Sequence, residues 1–237
     1  MCLHLSLNAL HMEIIERFGR MFDEEMDWFY FPTYHKCGLN ITDELMIIPM
    51  DQPTKLDFAR WGNILNWGDV EDLPNAVYFD KVFNVESEYA LYNHKYTDLL
   101  RNNRCLILAD GYFSPDFLDA QNPPRFFYQK NDETFEKRSI FAFAGIFEKS
   151  VNLYSCAILT TGLENPIHNG QEKNKRVPIV LDKGFEDEWL RKDLTDDGIT
   201  NLMTFGRTKD HFTSHLVSTD IYKEDKDTNK PYIIEPV

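Results

Sequence analysis

Arg104-Cys105-Leu106-Ile107-Leu108-Ala109-Asp110-Gly111-Tyr112-Phe113-Ser114-Pro115 decides how the chain is read as a fold. A short apolar run closed by a turn residue reads as a buried strand. Other strands are expected on either side of it: Leu3 to Leu7, Leu45 to Pro49 (ended by Asp51-Gln52-Pro53), Tyr154 to Thr161, Val177 to Leu181 and Leu216 to Ser218. Arg125 to Lys130 and Ser139 to Phe147 read as a hairpin across the polar loop Asn131 to Lys137. Leu10, Ile14, Phe18, Met21 and Phe22 recur at helical spacing and predict an amphipathic helix over Ala9 to Met26. Tyr89 to Leu100 and the acidic Gly184 to Arg191 read as further helices. Strands and helices do not alternate regularly, and no GxGxxG or GxxxxGKT is present. The expectation is therefore an α+β fold, one domain over residues 1–237, built on a mixed, curved, mostly antiparallel sheet with flanking helices.

With 43% hydrophobic residues and 14% aromatics, 237 residues can bury a sizeable core. No apolar run approaches the length that spans a membrane, and none is expected to. His4, His11, Glu13 and Glu16 interrupt any signal-peptide core. Cys2, Cys37, Cys105 and Cys156 are scattered and form no CxxC, which fits reduced thiols and a cytoplasmic location. The net charge of −14 opposes tight, non-specific binding to nucleic acid, because such affinity comes from neutralising phosphates. A small basic site on an acidic chain is still compatible with it.

The first two residues carry distinctive chemistry. Trimming Met1 leaves Cys2 at the N-terminus, with an amine and a thiol on adjacent carbons. Their ordinary pKa values, about 8 and 8.5, leave both partly nucleophilic near neutral pH. Such an aminothiol condenses with an aldehyde to an imine and then closes to a thiazolidine. The plain alternative is a chance cysteine ahead of an ordinary strand.

Several segments, in order, resemble the SRAP (SOS response-associated peptidase) family. They are Met1-Cys2; Trp61-Gly62-x-Ile64-x-x-Trp67; Asn84; Arg104 to Tyr112; Phe143-Ala144-Gly145-Ile146-Phe147-Glu148; Ile158-Leu159-Thr160-Thr161; and His168 followed by Arg176 to Leu181. The resemblance implies capture of abasic sites in single-stranded DNA, the N-terminal cysteine bonding the opened sugar aldehyde as a thiazolidine. It also implies self-processing, an autopeptidase or lyase activity. By resemblance Cys2 is the nucleophile, Asn84 holds the reacting sugar or phosphate, and His168 helps open the ring by proton transfer. Arg176 is a phosphate contact, and Arg104 falls within the same series as a DNA contact. No cofactor is expected.

Three family motifs are altered. Leu3 and His4 follow Cys2 where the family has glycine and arginine; Glu86 stands where it has a second arginine; Ser114 stands where it has a catalytic glutamate. A serine hydroxyl cannot shuttle protons at pH 7 as a carboxylate can. Glu86 in the arginine's place would attract protons and repel phosphate. Residues 169–175 also separate His168 from Arg176 where the family has one residue. Two other readings stay open: a divergent, catalytically weakened protein that binds another partner, and an N-terminal-nucleophile peptidase. Arg104 could instead cap a strand end. His211 and His215 form an HxxxH without a third ligand, and no metal is expected.

Overall fold

The computed structural model describes residues 4–23, 30–38, 44–62, 82–114, 123–131, 134–150, 153–162, 176–209, 211–223 and 225–237. Its strands are, in order, β1 (His4–Leu7), β2 (Thr33–Cys37), β3 (Glu44–Pro49), β4 (Asp57–Trp61), β5 (Asn84–Glu86), β6 (Arg104–Ala109) and β7 (Gly111–Ser114). There follow β8 (Arg125–Tyr128), β9 (Lys130–Asn131), β10 (Thr134–Arg138), β11 (Phe141–Ser150), β12 (Leu153–Thr161), β13 (Val177–Pro178) and β14 (Thr213–Leu216). The helices are α1 (His11–Phe18), α2 (Ser87–Ala90), α3 (His94–Asn102), α4 (Glu186–Trp189) and α5 (Asp196–Phe205).

The stretch from Arg104 to Ser114 passes through both main sheets. β6 is buried on both faces, paired antiparallel with β3 (Ile47 opposite Ile107) and β11 (Phe143 opposite Ile107). Covering on both sides explains why its apolar run is continuous rather than alternating. At Asp110 the chain crosses over, and β7 pairs with β1 and β8 in a five-stranded sheet ordered β14-β8-β7-β1-β2. The crossing is pinned: Asp110 Oδ2 accepts from Asn8 N at 3.0 Å and Arg138 Nη2 at 2.9 Å, and Asp110 N donates to Ser6 O at 2.9 Å.

The larger sheet runs β11-β6-β3-β4-β12, and β11 also pairs with β12, so these five strands close on themselves. β12 runs parallel to β4 at Tyr154 to Cys156 and to β5 at Ile158 to Thr160, while β13 pairs with its far end. The result is a mixed α+β fold with a barrel-like sheet, whose core extends into the second sheet through Leu5, Leu7, Tyr112 and Phe127. A smaller cluster of Phe113, Phe126, Val217, Ile221 and Ile233 lies under the C-terminal segment. No helix among the described residues is long and apolar enough to cross a membrane.

The structure corrects several expected elements. The first helix stops at Phe18 because Gly19 turns left-handed (φ 64°), so the apolar spacing outlasts the helix. Tyr89 to Leu100 is broken: α2 ends, and Asn93 caps α3 by accepting from Lys95 N at 3.0 Å. β8 and β11 are not hairpin partners, since each joins a different sheet and only β9 and β10 pair between them. The helix expected over Gly184 to Arg191 is a 3₁₀ turn, Lys183–Phe185, followed by α4. Val177 to Leu181 is a two-residue strand extended by single bridges at Val180 and Leu181. The last strand is Thr213–Leu216 rather than Leu216 to Ser218. Sequence patterning missed α5, which Thr195 caps by accepting from Gly198 N at 3.1 Å.

Candidate functional site

β5 is three residues long, and its alternation decides what faces the solvent. Val85 is buried, so Asn84 and Glu86 project to the opposite face, half-buried and exposed respectively. The parallel register sets Asn84 beside Ile158 and Glu86 beside Thr160. The chain then enters α2, where Glu88 turns back toward the end of β12. Its Oε1 accepts from Thr161 Oγ1 at 3.0 Å and Gly162 N at 2.7 Å.

Arg176 completes this group from just ahead of β13. Its Nη2 donates to Glu88 Oε2 at 2.6 Å and Thr160 O at 2.7 Å, and its Nε donates to Thr160 Oγ1 at 3.1 Å. Its Nη1 lies 3.5 Å from Glu86 Oε2. Burial alone would raise the Glu88 carboxyl, but hydrogen bonds from Arg176, Gly162 and Thr161 outweigh it and hold the pKa down to about 2. One guanidinium thus faces two carboxylates. Glu86, which stands where the family resemblance expects an arginine, lies beside Arg176.

Arg207, which sequence reading missed, belongs to the same electrostatic neighbourhood. Burial lowers its pKa while the Glu88 charge raises it. Its Nε donates to Thr204 O at 3.0 Å, and its buried Nη1 has no hydrogen-bond partner among the described residues. It lies in no motif; the Leu181–Arg207 bridge, flanked by Asp182 N to Gly206 O and Thr208 N to Val180 O, brings it here.

A second group lies where the chain begins. β1 and β7 are antiparallel, so His4, the first residue of one, and Ser114, the last of the other, share one end of the sheet. His4 pairs with Cys37 across β1–β2, and its ring meets that of His35 edge to edge and nearly coplanar, with Nδ1 2.9 Å from His35 Nε2. Burial lowers the His4 pKa to about 4; burial, with a smaller contribution from His4, lowers His35 to about 3. Ser114 is half-buried opposite Arg125.

Gly38 connects the two groups. It follows Cys37 directly, and a Cβ there would lie 2.9 Å from Trp61 Cδ2 and 3.1 Å from Phe83 Cδ1. Phe83 in turn precedes Asn84. The bare glycine therefore lets the β1–β2 pair approach the start of β5, whose first residue is Asn84.

Arg104 is corrected. It is fully buried, and its guanidinium donates to the carbonyl oxygens of Trp189 (2.8 Å), Arg101 (2.8 Å), Leu100 and Arg191. It ties α3 and α4 to the end of β6 and presents nothing to DNA. Burial lowers its pKa to about 10, which leaves it cationic at neutral pH. Cys2, His168 and Trp67 lie outside the described residues. Cys105 and Cys156 are buried, and burial pushes both thiols well up, so neither supplies a thiolate. His215 engages Ile234 O through Nε2 at 2.7 Å.

The family model described as "SOS response associated peptidase (SRAP)" matches residues 1–224. Abasic site processing protein YoqW of Bacillus subtilis (strain 168) is 28% identical over 244 aligned positions, covering 99% of each chain. YoaM of the same organism is 26% identical, covering 86% of this chain and 85% of its own. Abasic site processing protein HMCES of Gallus gallus is 27% identical, covering 75% of this chain and 56% of its own. Among solved structures, a protein from Bacteroides thetaiotaomicron superposes with a TM-score of 0.75 at 22% identity, covering 100% of both chains. One from Bordetella bronchiseptica superposes at 0.65 and 20% identity, covering 92% of this chain and 100% of its own. These two likenesses concern the fold.

Proposed function

The chain belongs to the SOS response associated peptidase (SRAP) family, and on that premise we propose that it processes abasic sites in single-stranded DNA through Cys2. Removal of Met1 exposes the aminothiol. Its amine condenses with the aldehyde of the ring-opened sugar and its thiol closes a thiazolidine, which leaves the lesion covalently capped. The observation that carries this reading is the contact of Gly38 with Phe83, which brings the end of the sheet where β1 begins against the start of β5. Asn84, the first residue of β5, is assigned to hold a sugar or phosphate oxygen through its amide. His168 is assigned proton transfer in ring opening, and Arg176 the neighbouring phosphate. The relatives named abasic site processing proteins support the same substrate.

One observation favours a second reading, that of a weakened family member with another partner. Arg176 is already engaged by Glu88 and approached by Glu86, so a phosphate must compete with carboxylates for it. The two readings separate in one experiment. Protein whose intact mass shows loss of Met1 is incubated with single-stranded DNA carrying one abasic site. A heat-stable adduct that disappears in Cys2→Ala is expected. No adduct, while a typical family member reacts in parallel, would leave only the second reading.

A further inference from the structure

Tyr89 and Tyr92 stand on the turn that follows β5, and both rings face water. Tyr89 is 66% exposed, and Tyr92, at 89%, is the most exposed large hydrophobic residue among those described. Among the described residues neither makes a side-chain hydrogen bond or a ring contact. Single exposed apolar residues are ordinary, but two bare aromatic rings together mark a surface that something else covers.

The backbone sets the two rings on one side. Tyr92 N donates to Tyr89 O at 3.0 Å, and Leu91 between them is right-handed helical (φ −73°, ψ −17°). A bond from residue i+3 to residue i tightens the turn to three residues, so the side chains at 89 and 92 eclipse. Ala90 is buried and Leu91 packs against the core, which leaves the third direction, that of the tyrosines, pointing outward.

This turn is fixed to the candidate site. Glu88 lies one Cα step, about 3.8 Å, before Tyr89, and it is held by Thr161, Gly162 and Arg176. Glu86, at the N-cap of α2, is exposed and stands 3.5 Å from Arg176 Nη1. The tyrosines therefore continue the face that carries Arg176.

Charge decides which part of a DNA strand they meet. Affinity for single-stranded nucleic acid comes from neutralised phosphates and from bases stacked on aromatic rings. The first source is weak here, because the chain carries a net charge of −14 and Arg176 is shared with Glu86 and Glu88. Stacking needs only a ring face and is insensitive to the acids nearby. Resting on the abasic-site reading proposed above, we propose that Tyr89 and Tyr92 form a stacking platform for the unpaired bases that flank the abasic nucleotide, while Arg176 takes a neighbouring phosphate. The platform also selects single strands. In a duplex the base faces are already stacked on one another and have none to offer a tyrosine.

The test is binding of the full chain to single-stranded DNA bearing one tetrahydrofuran abasic analogue, which has no aldehyde, read by fluorescence anisotropy. In one oligonucleotide the neighbours of the analogue are thymidines. In a second, of equal length and charge, the neighbours are tetrahydrofuran too. Wild type is expected to bind the first about 5- to 100-fold tighter. The difference is expected to persist as salt is raised, because stacking releases no counterions. Tyr89→Ala combined with Tyr92→Ala is expected to abolish the difference by weakening the first oligonucleotide alone. Tyr89→Phe combined with Tyr92→Phe is expected to retain it, since the ring and not the hydroxyl stacks. A purely structural role, disturbing Glu88 and Arg176 through α2, would weaken both oligonucleotides alike. That outcome overturns the platform, as does an unchanged preference in the alanine variant. Sedimentation velocity that shows wild-type self-association, lost in the alanine variant, also overturns it and makes a second copy the occupant. Wild type that binds neither oligonucleotide overturns the abasic-site reading, and the platform with it.

Discussion

Arg176 donates to Glu88 at 2.6 Å while Glu86 stands 3.5 Å from its other terminal nitrogen, so the cation of this site is held between two carboxylates. The two acids differ in role. Glu88 accepts three hydrogen bonds, one from Arg176 and two from Thr161 and Gly162 at the end of β12. Glu86 is exposed and merely near.

Glu86→Gln is therefore expected to raise affinity for single-stranded DNA, roughly two- to five-fold, the range of an exposed ion pair. Fluorescence anisotropy at low ionic strength measures it, and the gain shrinks as salt is added. Glu88→Gln is expected to lower the melting temperature instead. An unchanged affinity in Glu86→Gln would show that Glu86 does not compete for Arg176.

Acid is expected to weaken the fold in two stages. His4 and His35 titrate at about 4 and about 3 in the fold, against 6.5 when unperturbed. The unfolded chain binds more protons below 6.5, so stability falls as pH drops from there, by up to about 1.4 kcal/mol per pH unit for each histidine. Glu88 titrates at about 2 against 4.5 unperturbed, so its stabilisation is full above 4.5 and is lost as pH falls toward 2. Urea unfolding at a series of pH values resolves the stages. His35→Gln is expected to flatten the first and Glu88→Gln the second.

Arg104→Ala is expected to destabilise the chain by about 3–5 kcal/mol, because buried carbonyls at the ends of α3 and α4 lose their shared donor. The folded fraction is expected to bind DNA as wild type does. A selective loss of binding, with an unchanged urea midpoint, would restore Arg104 as a DNA contact.

Gly38→Ala is expected to cost about 1–3 kcal/mol, because its Cβ meets the Trp61 and Phe83 rings at about 3 Å. It also pushes the β1–β2 pair away from β5. Adduct yield is therefore expected to fall further than thermal stability accounts for, as measured on the folded protein at reduced temperature.

Part of this molecule is written locally. The proposed 1,2-aminothiol rests on two adjacent residues and the trimming of one. β3, β6 and β12 are legible because strands covered on both faces need unbroken apolar runs. Where a single residue ends an element, the pattern misleads: Gly19 stops α1 although Met21 and Phe22 continue its spacing. β8 and β11 likewise look like hairpin partners because sequence proximity does not reveal that the chain changes sheets between them.

Taken alone, then, the sequence determined the α+β class, the buried strands and the family whose order of motifs it shares, and it offered Cys2 as the proposed nucleophile. Tertiary structure decided what the polar residues do. Arg104, read as a DNA contact, is a buried clamp, and Arg176 is shared by acids 88 and 90 positions earlier in the chain. His4 found His35 across 31 positions and, through it, Thr228. The reason is physical: apolar burial follows the periodicity of neighbouring residues, whereas the partner of a charge or a ring nitrogen is set by strand register, which distant segments fix together.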